Sequence, residues 1–571
     1  MTEGCATTPS YPRRRLIVLA VLALVVALLA WRAVYLQVVS REFLQYQGDA
    51  RHLRVVSVPA HRGMITDRRG EPLAISTPVH SVWANPQEVA LGGDGVVRLA
   101  RILDLEMDRL RRLIAERSTR EFVYLKRHVT PDLANSVRAL NVTGIFLQRE
   151  YRRYYPAGEV AAHVVGFTDI DDRGQEGIEL AYDDWLRGTP GSKRVVKDRL
   201  GRIVEDVERI RARRPGKNLA LSIDRRLQYL AYRELKAAVL EHGARSGSAV
   251  LLDVRSGEVL AMVNQPSYNA NDRNGLRGGR YRNRAVTDVF EPGSAIKPFT
   301  IAAALESGKY RPETAIDTTP GRLRVGRNTV RDVHDYGVLD VSHVIIKSSN
   351  VGASKIALSL EPRRLWQMYN RLGFGSVTGS GFPGESGGLL SHYHRWHPID
   401  QATMAFGYGL SVTPLQLAQA YAVLASGGVQ RPVTFLRTVE PARGHRVLSV
   451  RIARQVRAML ESVVTREGTG LNARVPGYRV AGKTGTVHKS TAGGYADDRY
   501  VAVFAGMAPA SRPRLALVVM VNDPSNGQYY GGQVAAPAFA RVMGGALRLL
   551  DIPPDDLPVL HTRRDEGRGR T

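Results

Sequence analysis

Glu291-Pro292-Gly293-Ser294-Ala295-Ile296-Lys297-Pro298 stands near the middle of a chain of 571 residues and joins a turn to an apolar run. Pro292 and Gly293 favour the turn. The residues after them predict a helix over 295–307, so Ser294 falls at a helix N-terminus, where unpaired backbone N–H groups point outward and can hold an oxyanion. Lys297, three residues on, shares a face with Ser294, with Cβ atoms about 5–6 Å apart, within reach of a hydrogen bond. Pro298 has no N–H for the Ser294 carbonyl, which is tolerable only near a helix start. Residues 301–305 are apolar on every side, which predicts burial. Burial disfavours an ammonium, so Lys297 reads as a usable base near neutral pH.

Two more short elements lie downstream: Lys347-Ser348-Ser349-Asn350, and Ala481-Gly482-Lys483-Thr484-Gly485-Thr486 with small residues where a substrate can lie against a strand. The chain has only 11 lysines, and Ser-x-x-Lys occurs once. Ser-x-x-Lys, Ser-x-Asn and Lys-Thr-Gly, spaced by 54 and then 135 residues, are far more specific together than any is alone. Individually each has a plain structural reading: a helix cap, a turn, a strand-edge charge.

Around these motifs, Asp224 reads as the cap of a helix to about residue 241. The apolar runs 249–254 and 258–263, joined by Arg255-Ser256-Gly257, read as a hairpin. Helices are expected around 415–425 and 452–464, and strands at 500–507 and 515–521. Strands at both ends with helices between predict one α+β domain whose terminal strands share a sheet. Upstream, 40–214 mixes short strands with helices, including an amphipathic stretch over 97–117, with turn signals at 92–95 and 156–158. The charged segment 202–217 marks a change of texture and the expected domain boundary.

Arg13, Arg14 and Arg15 precede an uncharged run, 16–31, then Arg32 and a second apolar stretch to residue 39. Sixteen helical residues span about 24 Å, short of the roughly 30 Å hydrocarbon core. The second stretch supplies the rest if Arg32 snorkels to the outer interface beside Trp31 and Tyr35. No small-x-small cleavage site follows, so an uncleaved anchor over 16–39 is expected, with a cytoplasmic tail 1–15 and the remainder outside the membrane.

The balance of 80 basic against 54 acidic side chains gives +26. That charge is mostly Arg, scattered along the chain, with no helix-turn-helix, zinc-finger or aromatic RNA-binding signature, so no nucleic-acid partner is expected. Cys5 is the sole cysteine, which excludes an intrachain disulfide or a multi-thiolate metal site. No fixed-period repeat or low-complexity block points to a solenoid or to disorder.

The three motifs in this order are the signature of penicillin-binding proteins and class A β-lactamases. Phe290-Glu291-Pro292-Gly293-Ser294 adds to it, as does Arg62-Gly63-Met64-Ile65-Thr66-Asp67-Arg68-Arg69-Gly70-Glu71-Pro72-Leu73-Ala74. With Tyr155-Pro156-Ala157-Gly158 and Gln175-Glu176-Gly177-Ile178-Glu179, they make nearly the whole chain resemble a class B penicillin-binding protein, specifically a division-specific D,D-transpeptidase of Gram-negative bacteria. The resemblance implies a transpeptidase domain over 215–555, with a central antiparallel sheet flanked by helices, as in serine β-lactamases. It also implies a non-catalytic pedestal over 40–214, a single membrane helix, and a flexible tail over 556–571. Catalytic roles fall to Ser294, Lys297, Ser348, Asn350 and Lys483, and substrate binding to Thr484, Gly485 and Thr486. Implied partners are peptidoglycan stem peptides and β-lactams, a SEDS-type glycosyltransferase, other divisome membrane proteins and the cytoplasmic membrane. No metal or cofactor is called for.

Rival readings lack parts. A β-lactamase needs a water-activating base, and Glu361 falls too soon after Asn350, reading as a loop or helix-start carboxylate. A β-lactam sensor needs several membrane spans. A bifunctional polymerase needs a second catalytic domain, and a scaffold has no need of intact reacting residues. The elongation-specific transpeptidase is the nearest alternative, disfavoured by the Phe290-Glu291 context and the compact pedestal.

Overall fold

A computed structural model describes residues 12–42, 53–197, 203–272, 279–491 and 494–557. Cys5, the first eleven residues and most of the expected tail over 556–571 lie outside them. The chain begins with helix Pro12–Val34, continued by one π turn, Tyr35–Val39. These 28 residues are long and apolar enough to cross a membrane, and none is buried against protein. The Arg32 guanidinium sits 5.6 Å from the centre of the Tyr35 ring.

Two compact units, each discontinuous in sequence, make up the chain: residues 1–60, 78–151 and 189–215 in one, and 61–77, 152–188 and 216–571 in the other. The last crossing between them falls within the charged segment where the texture changes. In the smaller unit, helices Asp94–Leu103, Met107–Ala115 and Pro131–Ala139 bury Val96, Leu99, Leu103, Leu110, Ile114 and Val137. The single amphipathic stretch expected over 97–117 is two helices, because Asp104 adopts φ 53° and ends the first. Asp tolerates that left-handed conformation better than most residues. The apolar periodicity resumes beyond it, so the break leaves little trace in the pattern. Strands Leu53–Val58, Gly191–Lys197 and Ile203–Arg211 form an antiparallel sheet in this unit.

In the larger unit, residues 61–77 and 152–188 share a core with the segments that follow: Ile65, Leu73, Ile178 and Leu221 belong to one cluster with Val250 and Phe299. A buried ionic group forms within it. Arg62 is fully buried and donates to Glu179 Oε2 (2.7 Å), Asp183 Oδ1 (2.7 Å) and the Asp172 carbonyl (3.0 Å). Arg153 donates to Glu179 Oε1 at 2.6 Å and to Ser76 Oγ at 3.1 Å. The segments that the resemblance treats as structural are thus tied together by fixed charge.

The rest of this unit is built on a five-stranded antiparallel sheet. The elements that frame the site are, in chain order, α1 (Arg225–Glu241), β1 (Ser246–Asp253), β2 (Val259–Gln265), α2 (Lys297–Glu306), α3 (Asn350–Leu358), α4 (Val450–Ser462), β3 (Ala481–Thr491), β4 (Gly494–Ala508), β5 (Leu515–Asn522) and α5 (Gly531–Leu549). The strand order is β2-β1-β5-β4-β3, so strands from both ends of the domain do share a sheet, and β3 is an edge. Alternate residues of β1 enter separate cores, Ala249 and Leu251 on one face, Val250 and Leu252 on the other. Both faces are covered, which is why the strand reads as one apolar run. Asp224 caps α1 as expected, its side chain accepting from the Arg226 amide. Helix α5 has no counterpart among the sequence expectations. Pro537 lies inside it, and glycines at 531, 532, 544 and 545 weaken its helical signal.

Candidate active site

Ser294 lies in one 3₁₀ turn, Gly293–Ile296, and the α-helix proper, α2, starts at Lys297. The turn is set by close backbone contacts. Gly293 has φ 54°, and a Cβ there would come within 2.4 Å of Val487 Cγ2. A Cβ on Gly485 would lie 2.8 Å from the Pro292 carbonyl oxygen, so this glycine lets edge strand β3 lie directly against the serine turn. Tyr421 donates to the Ala295 carbonyl from below (2.9 Å), and Glu291 accepts from the Gly409 amide (2.8 Å) and the Tyr495 hydroxyl (3.0 Å).

The other motif residues converge on the same place. Ser348 Oγ accepts from Lys483 Nζ at 2.9 Å and from Lys297 Nζ at 3.3 Å. Lys297 Nζ also donates to Asn350 Oδ1 at 2.7 Å and to the Ser348 carbonyl. The Ser294–Lys297 hydrogen bond that the spacing allows is not made, and the Ser294 hydroxyl has no partner among the described residues. Ser348 itself takes the left-handed conformation, φ 61°.

Both lysines are fully buried. Burial, reinforced by the neighbouring Lys483 charge and opposed by Asp332, holds Lys297 well below the ordinary lysine value. Burial lowers Lys483 to about 7. Above them opens a cleft of about 630 Å³ lined by Ser294, Ser348, Asn350, Thr484, Thr486 and Tyr530, among others. Thr484 Oγ1 is 2.7 Å from Thr469 Oγ1, and Thr486 Oγ1 accepts from the Gly531 amide at 2.9 Å, which leaves its own proton free to point elsewhere. Of the eight residues singled out in the sequence, Ser294, Ser348, Asn350, Thr484 and Thr486 line the cleft, Lys297 and Lys483 lie buried behind it on Ser348 Oγ, and Gly485 packs against the Pro292 carbonyl.

Asp332 was not anticipated. Its Oδ1 accepts from the Val351 amide at 3.0 Å and from the Asn350 amide, and its Oδ2 from the Ser349 hydroxyl. The carboxylate caps α3 from outside and fixes the turn that presents Ser348 and Asn350. No spacing rule flags it, because it lies on a different strand end from the helix it caps. Glu361 is at the start of helix Pro362–Arg371 and is not part of the cleft.

Residues 247–544 match the family described as the penicillin binding protein transpeptidase domain, and residues 57–221 the penicillin-binding protein dimerisation domain. The chain is 48% identical to the peptidoglycan D,D-transpeptidase FtsI of Escherichia coli K12 over 94% of its own length and 91% of that protein's. The chain belongs to the class B penicillin-binding proteins. This penicillin-binding protein is also 44% identical to the probable peptidoglycan D,D-transpeptidase PbpC of Pseudomonas aeruginosa, over 97% of its own length and 99% of the relative's. Among solved structures, it resembles penicillin-binding protein 3 of Mycobacterium tuberculosis, determined with aztreonam, at 30% identity and a TM-score of 0.69 over 88% of this chain and 98% of that one. The family match and the apolar N-terminal helix, the one such helix among the described residues, fit a single-pass membrane protein.

Proposed function

We propose that Ser294 is the acyl-accepting nucleophile of this cleft and that Lys297, Ser348 and Lys483 move its proton. The protein is a peptidoglycan D,D-transpeptidase that cross-links stem peptides during septal wall synthesis and binds β-lactams. One observation supports the roles above all: a single hydroxyl, Ser348 Oγ, is hydrogen-bonded to two fully buried lysines at the foot of the cleft that Ser294 lines.

In the first half-reaction Ser294 Oγ bonds to the carbonyl carbon between the last two D-alanines, and its proton passes to the neutral Lys297 amine. The backbone N–H groups of Ser294 and Thr486 hold the oxyanion. When the C–N bond breaks, the departing D-alanine takes a proton through Ser348, helped by Lys297 or Lys483. Lys483, Thr484 and Thr486 bind the terminal carboxylate, and Asn350 holds the substrate amide and orients Lys297. The open edge of β3 suits an extended peptide adding as a further strand, with Gly485 keeping the surface bare of side chain. An acceptor amine then attacks the ester, forms the cross-link and returns the proton to Ser294.

Residues 40–214 act as the non-catalytic pedestal and 215–555 as the transpeptidase domain. The anchor holds the chain in the cytoplasmic membrane with its N-terminus inside and the catalytic domain periplasmic. The partner in glycan synthesis is a SEDS-type polymerase, contacted through the anchor and pedestal alongside other divisome membrane proteins.

Intact-mass spectrometry after incubation with a penicillin tests the reading. Wild type gains one drug mass and keeps it, and Ser294→Ala gains none. Rapid hydrolysis of the drug, or an adduct that survives Ser294→Ala, rejects it.

A further inference from the structure

A second cavity, of about 340 Å³ and sharing no residue with the catalytic cleft, is lined by five arginines: Arg255, Arg431, Arg454, Arg457 and Arg512. No acidic side chain lines it among the described residues. The arginines come from separate parts of the fold: the β1–β2 turn, the segment after helix Pro414–Ala425, successive turns of α4, and the β4–β5 turn. Among the described residues, Arg255, Arg454, Arg457 and Arg512 make neither a hydrogen bond nor a salt bridge through their side chains. Arg431 spends one N–H on the Val254 carbonyl at 3.3 Å.

Carboxylates nearby are engaged by other cations. Asp253 lies 4.0 Å from Arg514, and Glu461 is paired with Arg479. Val450, the first residue of the 13-residue helix α4, lines the same cavity, so the positive end of the helix dipole borders it. Burial and then the charge of Arg454 lower Arg457, and burial followed by Arg514 and Arg512 lowers Arg255. Elsewhere the abundant arginines are commonly balanced, as with Arg371 against Glu306 and Arg499 against Asp523. Five guanidiniums from separate elements around one open depression, with Asp253 and Glu461 acting on Arg255 and Arg457 without pairing to them, differ from scattered surface charge.

We propose that this pocket binds a phosphate-bearing anion of about diphosphate size. Guanidinium forks match phosphate oxygens in pairs, and several forks bordering one volume suit a group carrying more than one negative charge. The volume admits a small headgroup or a free diphosphate and not a folded chain. The site is independent of the reaction at Ser294.

The test uses the full chain in phosphatidylcholine nanodiscs, titrated with inorganic pyrophosphate in a calorimeter. Saturable one-to-one binding is expected, weakened at least tenfold in Arg454→Gln/Arg457→Gln/Arg512→Gln, with penicillin acylation of Ser294 unchanged in that variant as evidence of folding. Should the triple variant misfold, Arg512→Gln alone, in an exposed turn, is expected to weaken binding about threefold. Repeating the titration in phosphatidylglycerol nanodiscs separates the sources: weaker apparent pyrophosphate binding means that lipid headgroups occupy the pocket, and unchanged binding means a soluble diphosphate does. Absence of saturable binding, or equal binding by a folded variant, overturns the proposal. Tighter binding of a poly-glutamate peptide than of pyrophosphate overturns it in favour of an acidic protein segment.

Discussion

The larger unit buries two pairs of cations and treats them in opposite ways. Arg62 and Arg153 lie among carboxylates: Glu179 takes both, and Asp183 takes Arg62 as well. Burial works against the Arg62 guanidinium, yet Glu179 and Asp183 outweigh it and hold the group above its ordinary value. Lys297 and Lys483 are as deeply buried, but no carboxylate lies within salt-bridge distance of either among the described residues. Asp332, whose charge acts on Lys297, has its oxygens taken by the Ser349 hydroxyl and the first amides of α3. A buried cation with its counter-charge is a fixed joint. Without one, it becomes a group that gives up its proton near neutral pH.

Three experiments press on that contrast. The largest effect is expected from Lys297→Arg, which replaces a titratable amine with a permanent charge. Penicillin acylation should fall by about 10³-fold, as expected for loss of a positioned general base. A variant that acylates within tenfold of wild type would remove the distinction between the two pairs. Next, Glu179→Gln leaves two buried guanidiniums short of their shared acid. The expected cost is about 3–5 kcal/mol of folding stability, read as a lower denaturation midpoint, with the acylation rate of the folded fraction unchanged. The smallest effect is with pH. Because Lys483 is lowered to about 7 and Lys297 also lies below its usual value, the acylation rate should rise about tenfold from pH 6 to pH 8 and then level, with the apparent value belonging to the pair. Lys483 binds fewer protons folded than unfolded between about pH 7 and its ordinary value near 10.5. Stability should therefore rise with pH across that window. A flat profile in both measurements would mean that the buried lysines are not titrating there.

How much of this was legible in the sequence depends on how local each signal is. Ser294 and Lys297 are separated by one helical turn, and Ser348 and Asn350 by two residues, so chain geometry alone nearly assembles each half of the site. Lys483 was found through a tripeptide whose glycine is required by the approach of Pro292. Asp332 was missed because its role is tertiary: it caps a helix it does not adjoin in sequence. The 3₁₀ turn at Ser294 was read as α-helix because both satisfy the same apolar pattern, and only the backbone contacts of Gly293 separate them. Helix α5 was missed for the opposite reason. Its small residues look like a loop, yet Gly531 is needed where a Cβ would meet the Gly485 carbonyl at 2.4 Å. The hairpin of β1 and β2 and the shared sheet were legible because apolar runs between turn residues have few other uses.

Ser348 sits with φ 61°, a conformation that glycine adopts freely and that costs a side-chain-bearing residue about 1–3 kcal/mol. Glycine there would relieve the backbone but delete the one oxygen that both lysines share. Robustness and chemistry therefore pull this position in opposite directions. Any effort to harden the protein against heat by removing left-handed residues meets its limit at Ser348, where the most stabilising choice is also the most inactivating one.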